Sequence, residues 1–527
     1  MKPKPYWITV GIILLVGLVL RVWLQAKLQS HFADDAYIFM RYVQNFGAGR
    51  GLVYNVGDRV IGYTSPLFVL TISGLHFILR PLPLDGLISL LNTMLFVVLV
   101  LVTALTRERF GSSAAFPLLL VFYFPYLDAS MNGMETMLFV TCIVASVVSL
   151  TCGKTDLGLV LAMLAALTRP EGILLLGCVV AVLLWVRPPK IPIWGIALSV
   201  LLAALWLSFC FSYYGTVVPH SMLAKATPLA RVQAQVGGPL DKYVLLALGF
   251  SSVSFAKLPD AVRLVLYAVG VASMPVIVLA LLSSLRRRDA WAVFPLFFLS
   301  VWVFYCIGKP VSIWSWYTIP TSIAFAASLL PWLIERFSLV QTPMRRLGLE
   351  AAAALFCLAT IAVGLPQRVQ GERGMTARLF DEADYIKATI PQAKSLMVGD
   401  IGIVGYKTGL RIIDLAGLVS PEVTRKGADG QKLSFGALVQ TDQPDVLLMR
   451  EDPRDTDTIL DGLNLAHTFT DAPEKARFDA SYMLVDVNYE FFHPFIFVKR
   501  SLVSGKMFRT GTQEPRPALR ATQSRRA

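Results

Sequence analysis

Eleven apolar runs, at 6–25, 86–105, 113–127, 134–151, 157–168, 171–186, 192–212, 261–282, 291–307, 317–335 and 347–365, constrain this chain more than any other feature. About 20 apolar residues in a helix cover the ~30 Å hydrocarbon core of a bilayer. Backbone inside lipid must satisfy its own hydrogen bonds, so such runs can only be helical. Several are short, which suits spans that tilt little or sit among neighbours. Only 16% of the residues are charged, against about 25% in ordinary globular chains. The chain reads as an α-helical polytopic membrane protein, and the lipid bilayer is its first partner.

Basic residues set the orientation. The formal charge is +13, yet from Pro366 onward 22 Lys and Arg face 21 Asp and Glu, so nearly all the excess lies in the apolar part. There it selects the cytoplasmic side and gives no nucleic-acid footprint. With Lys2 and Lys4 inside, Arg107, Arg109, Lys154, Arg187, Lys190, Arg286, Arg287, Arg288, Arg336, Arg345 and Arg346 also fall inside, provided that Leu67–Leu79 does not cross. That run reaches only about 20 Å and reads as a helix at the membrane surface. The first apolar run lacks a small-x-small cleavage site and reads as an uncleaved first helix.

This bookkeeping gives a transmembrane part, 1–366, with a first outer loop at 26–85, and puts 367–510 outside the cell membrane. There DEADYIKATIP has a helical pattern, while SLMVGD, RIIDLAG, DVLLMR and SYMLVDV read as strands of a small extracytoplasmic α/β domain. The glycines of GDIGIVG are misplaced for a dinucleotide fingerprint and read as a strand-to-helix turn. The basic tail 511–527 reads as disordered. All six cysteines lie in or beside apolar runs, so the outer part has no disulfide framework. The five histidines have no metal-ligand spacing.

The spans carry almost no ionisable residue at membrane depth, whereas proton-coupled transporters need them there. Polar residues gather instead at the outer rim. Asp34 and Asp35 stand just past the first span, where burial raises a carboxyl pKa unless a cation compensates. They suit a general base, a carboxylate for a divalent metal, or a solvated helix cap. Tyr37 and Arg41 share one face of the following helical segment, and Tyr63 and Thr64 open a rigid YTSP turn. Both segments suit either substrate contact or interfacial anchoring. Glu135, Arg169 and Glu171 sit at outer ends of short spans, as a shared pocket or as solvated helix ends. Lys225, with His220 five residues before it, suits a phosphate contact or snorkelling to lipid headgroups. Trp316 and Tyr317 belong to an aromatic patch that suits sugar stacking or an interface belt.

DDAYIFMRYVQNFGAGRGLVYNVGDRVIGYTSPLF, NGMET, LTRPEG, YYGTVVPHSMLAK, WYTIP and GDIGIVGYKTGLRIIDLAGLVSPE together resemble a bacterial family of GT-C-type membrane glycosyltransferases. It includes the mycobacterial terminal β-arabinofuranosyltransferase. The likeness runs in order along nearly the whole chain, and its first and last blocks are the most specific. It implies a GT-C-like fold, for which the apolar runs supply about eleven transmembrane helices, and a polyprenyl-phosphate sugar donor used on the outer face of the inner membrane. A cell-envelope glycan or glycolipid would be the acceptor. It also places a catalytic acid at the start of the first outer loop, on Asp34 or Asp35, with Asp34 the favoured base. Ile61 departs from the pattern, standing where a glutamate is expected.

The expected reaction is inverting transfer of a sugar, with arabinofuranose as the first candidate. Asp34 or Asp35 would take the acceptor proton. Lys225, Arg169 and His220 would meet the donor phosphate. Tyr37, Arg41, Tyr63, Thr64, Glu135, Glu171, Trp316 and Tyr317 would line the substrate site. A divalent metal at the acidic pair is compatible with the residues, but no ligand spacing calls for one. The rival readings are a lipid-linked-sugar flippase or another transporter, and a non-catalytic membrane scaffold.

Overall fold

The computed structural model describes residues 4–27, 32–225, 237–308, 313–426, 431–459, 462 and 464–503; the tail 511–527 lies outside them. The first half of the chain forms α1 (Lys4–Lys27), α2 (Asp34–Gly47), α3 (Pro66–Ile78), α4 (Leu84–Ala104), α5 (Ala115–Phe122), α6 (Phe124–Ala129), α7 (Thr136–Thr151), α8 (Thr155–Thr168), α9 (Gly172–Val186), α10 (Ile193–Tyr214) and α11 (His220–Lys225). Among the described residues, seven helices are long and apolar enough to cross a membrane, and α3, α7, α8 and α9 are shorter apolar helices. The chain is a multi-pass membrane protein.

Two sequence expectations need correction. The run 113–127 is not one helix but two: Tyr123 is extended between α5 and α6, and Pro125 stands in the first turn of α6. Proline lacks the N–H that a continuing helix would need. The stretch 213–260, which the apolar runs on either side leave as an outer segment, is not wholly loop. Its helix Pro239–Leu248 buries Tyr243, Val244 and Leu246 in the bundle core. Pro239, in its first turn, suits a helix start.

The C-terminal part is an α/β domain built on a five-stranded sheet. Strands β1 (Ser395–Val398), β2 (Arg411–Asp414), β3 (Val446–Met449), β4 (Tyr482–Val487) and β5 (Phe495–Lys499) lie in the order β2-β1-β3-β5-β4. The first three are parallel; β5 runs antiparallel to β3 and β4. β5 was not among the expected strands.

The strand pleat sends alternate side chains to opposite faces. Met397, Ile413 and Leu447 pack under Phe435 and Phe478. Leu396, Val398 and Ile412 face the other way and join a core shared with Tyr42, Tyr54 and Phe68 of the segment between α1 and α4. One continuous apolar core therefore seats the sheet on that segment.

Candidate active site

Helix α2 has two working faces, set by the 3.6-residue period. Asp34, Tyr37 and Arg41, at i, i+3 and i+7, all meet the C-terminal domain. Asp34 Oδ2 accepts the Gly402 N–H at 3.0 Å and Oδ1 the Ile403 N–H at 2.7 Å. The Tyr37 ring packs 5.6 Å from Phe380 and from Tyr406. Arg41 donates to the Tyr54 carbonyl at 2.8 Å, the Leu410 carbonyl at 2.5 Å and the Gly405 carbonyl. Asp35, Ile38 and Phe39, at i, i+3 and i+4, line an open cleft.

The cleft gathers residues from seven separate segments. Asp35 comes from α2, Gly62, Tyr63 and Thr64 from the loop before α3, and Met134 and Glu135 from the start of α7. Arg169 follows α8, Ser221 and Lys225 lie on α11, Trp316 and Tyr317 open the helix Ser315–Phe337, and Leu418 reaches in from the C-terminal domain.

Arg169 is only 3% exposed and committed on both sides. It is ion-paired with Glu135 and, at 3.2 Å, with Glu171, whose Oε1 also accepts the Tyr305 hydroxyl at 2.6 Å. Its guanidinium lies 4.7 Å over the Tyr317 ring. Lys225, by contrast, is exposed into the cleft. The Tyr317 phenol raises its pKa, the loss of water against the cleft walls lowers it, and the Asp35 carboxylate raises it again, so its ammonium holds its charge.

Burial raises Asp35 first, Lys225 lowers it, and Asp400 raises it again, leaving its pKa above the usual carboxylate range. Asp34 is pushed up to about 7 by burial and by Asp400, against the pull of the Ile403 and Gly402 N–H groups. Burial also works against Asp400, but the His493 hydrogen bond and the Arg450 guanidinium outweigh it and hold its pKa low.

The structure therefore separates the sequence candidates. Asp35, Lys225, Arg169, Tyr63, Thr64, Glu135, Trp316 and Tyr317 share the cleft. Glu171 stands behind Arg169. His220 is outside the lining, its Nε2 3.2 Å from Thr424 Oγ1. Tyr37 and Arg41 lie outside the cleft lining and engage the C-terminal domain through packing and hydrogen bonds. Asp34 is outside the cleft lining, and each of its oxygens accepts a backbone N–H from the C-terminal domain. Ile61, the departure from the family pattern, is 1% exposed in the apolar core and does not reach the cleft.

Ser221 and Leu418 were missed. Both lie inside segments that carried the resemblance, which was their only sequence signal. Among the described residues, no group of three or more His, Cys, Asp or Glu is arranged to hold a metal.

Comparison with known proteins adds three findings. Residues 367–497 match a family model described as a domain of unknown function, DUF8728. A 232-residue stretch is 31% identical to the terminal β-(1→2)-arabinofuranosyltransferase of Corynebacterium glutamicum, covering 37% of this chain and only 33% of that relative. The structure of ArnT from Cupriavidus metallidurans superposes with a TM-score of 0.57 at 13% identity, over 94% of this chain and 99% of that one. The same protein bound to undecaprenyl phosphate gives 0.57 and 13% over 96% and 100%. At that identity the likeness is one of fold.

Proposed function

The chain has the GT-C-type fold of membrane glycosyltransferases, and we propose that it transfers a sugar from a polyprenyl-phosphate donor to a cell-envelope glycan or glycolipid on the outer face of the membrane. The amino end would then be cytoplasmic and the α/β domain extracytoplasmic. Arabinofuranose is the candidate sugar, on the strength of the partial match to the corynebacterial transferase. One observation carries the reading: Asp35 and Lys225, from distant segments, face one cleft that also holds Trp316 and the Arg169–Glu135 pair.

The chemistry follows from those groups. The acceptor hydroxyl oxygen forms a bond to the anomeric carbon as the carbon–oxygen bond to phosphate breaks, and the phosphate leaves with the bonding electrons. Asp35 takes the hydroxyl proton, a role open to a carboxylate whose pKa burial has raised. Lys225 meets the charge that develops on the departing phosphate. Attack opposite the leaving group inverts the anomeric configuration. Arg169, already neutralised by two carboxylates, is better suited to orienting Glu135 and Tyr317 than to binding phosphate. Trp316, stacked with Trp314 at 5.4 Å, offers an aromatic wall for a sugar face.

Transfer from synthetic polyprenyl-phosphate sugars by the protein in nanodiscs, followed by mass spectrometry, tests this. Use of another sugar would correct only the donor's identity. Failure with every such donor would overturn the reading.

A further inference from the structure

The C-terminal α/β domain grips both segments that carry the proposed chemistry, each one residue away from the group concerned. On the first outer loop, Asp34 precedes Asp35 and receives the N–H groups of Gly402 and Ile403. The fit is close: a Cβ on Gly402 would stand 1.9 Å from the Asp34 carbonyl oxygen. Nearby, the Tyr54 hydroxyl donates to the Ile401 carbonyl at 2.6 Å.

The second grip is on α11. The Asn464 amide, 3% exposed, donates to the carbonyl of Ala224, the residue before Lys225, at 3.1 Å. It also donates to the Ala416 carbonyl at 3.0 Å, two residues before Leu418 in the cleft wall. A six-residue helix has little stability of its own, so its register depends on such outside contacts.

We infer that this domain is a positioning element of the transfer site, in which Asp34 sets the place of Asp35 and Asn464 sets the place of Lys225. The inference rests on the function proposed above. It assigns Asp34 and Asn464 as positioning residues and gives the matched domain a role in catalysis, because a group displaced by about 1 Å loses on the order of 10²-fold in rate.

Two grips on two groups predict two different kinetic signatures, which a merely stabilising contact would not produce. The test uses the full chain in nanodiscs with farnesyl-phosphoryl arabinofuranose as donor probe. Asp34→Asn keeps one acceptor and loses the other; it should lower kcat about 10²-fold and leave donor KM nearly unchanged. Asn464→Ala should raise donor KM about 10-fold, since Lys225 would meet the phosphate less well, with a smaller effect on kcat. Asn464→Gln, which retains the amide, should recover part of the loss.

Parent values of kcat and KM in both variants would overturn the inference, as would equal changes that merely follow the loss of folded protein. If the parent itself transfers nothing from the probe, the donor assignment fails separately. Hydrogen exchange then decides the inference: amides 33–40 must exchange faster in Asp34→Asn and those of 220–225 faster in Asn464→Ala, and unchanged exchange overturns it.

Discussion

The Asp34 carboxylate accepts the Ile403 backbone N–H at 2.7 Å, across 369 residues of sequence, while the next carboxylate, Asp35, faces the cleft. Adjacent residues on a helix point about 100° apart, so the acidic pair is divided between two tasks. One carboxylate joins the α/β domain to the segment between α1 and α4. The other is available to substrate.

The pH dependence of transfer should reflect that division. A base must be ionised, so kcat/KM should rise with pH through the pKa of Asp35 and level off above it. Burial raises that pKa and Lys225 lowers it. The acid limb should therefore lie above the ordinary carboxylate range, and Lys225→Ala should move it further up. A limb that stays put in Lys225→Ala would separate the two groups electrostatically.

Lys225→Ala should also weaken donor use, since a charge-assisted contact to phosphate contributes about 1.5–3 kcal/mol, or roughly 10- to 150-fold in kcat/KM. Lys225→Arg should recover only part, because a planar fork does not reproduce a compact ammonium. Steady-state kinetics on the two variants would check this. Parent kinetics in the alanine variant would return Lys225 to a lipid-headgroup role.

Stability should vary with pH through His493. It is fully buried, with Nδ1 2.8 Å from Glu382 and Nε2 3.3 Å from Asp400, which is itself paired with Arg450 and lies near Asp34. Burial opposes its charge, but hydrogen bonds to Asp400 and Glu382 win and raise its pKa from 6.5 to about 10. Below 6.5 both the folded and unfolded chains hold the proton. Between 6.5 and about 10 only the folded chain does, so this stabilisation is lost as pH rises. His493→Gln should flatten that part of the Tm-against-pH curve; an unchanged slope would assign it elsewhere.

Orientation is open to reporter fusions. Fusions after Phe110 and Arg288 should report the cytoplasm, and one after Gln392 the exterior, as basic loops on the inner side require. An exterior signal at Phe110 would mean that α3 crosses the membrane.

Much of this was legible in the sequence because lipid selects for it. Ten of the eleven apolar runs correspond to helices of the fold; the run 113–127 failed because Pro125 breaks what hydropathy alone reads as continuous. The shared face of Tyr37 and Arg41 was also visible from spacing. What lies against that face was not, because the partners, Tyr406, Gly405 and Leu410, come from more than 360 residues away. The commitment of Arg169 to Glu135 and Glu171 is likewise a tertiary fact that spacing along the chain does not show. The strand FIFVK escaped notice as a short apolar run with no partner visible in sequence; its partners β3 and β4 form only once the chain has turned back.

The most direct test of the central claim compares Asp35→Asn with the parent protein, measuring sugar transfer from a polyprenyl-phosphate donor in nanodiscs. The substitution preserves size and removes the base, so folded protein should be recovered normally while the rate falls by about 10²–10⁴-fold, the range for a positioned proton transfer. Transfer by Asp35→Asn at the parent rate would contradict the account.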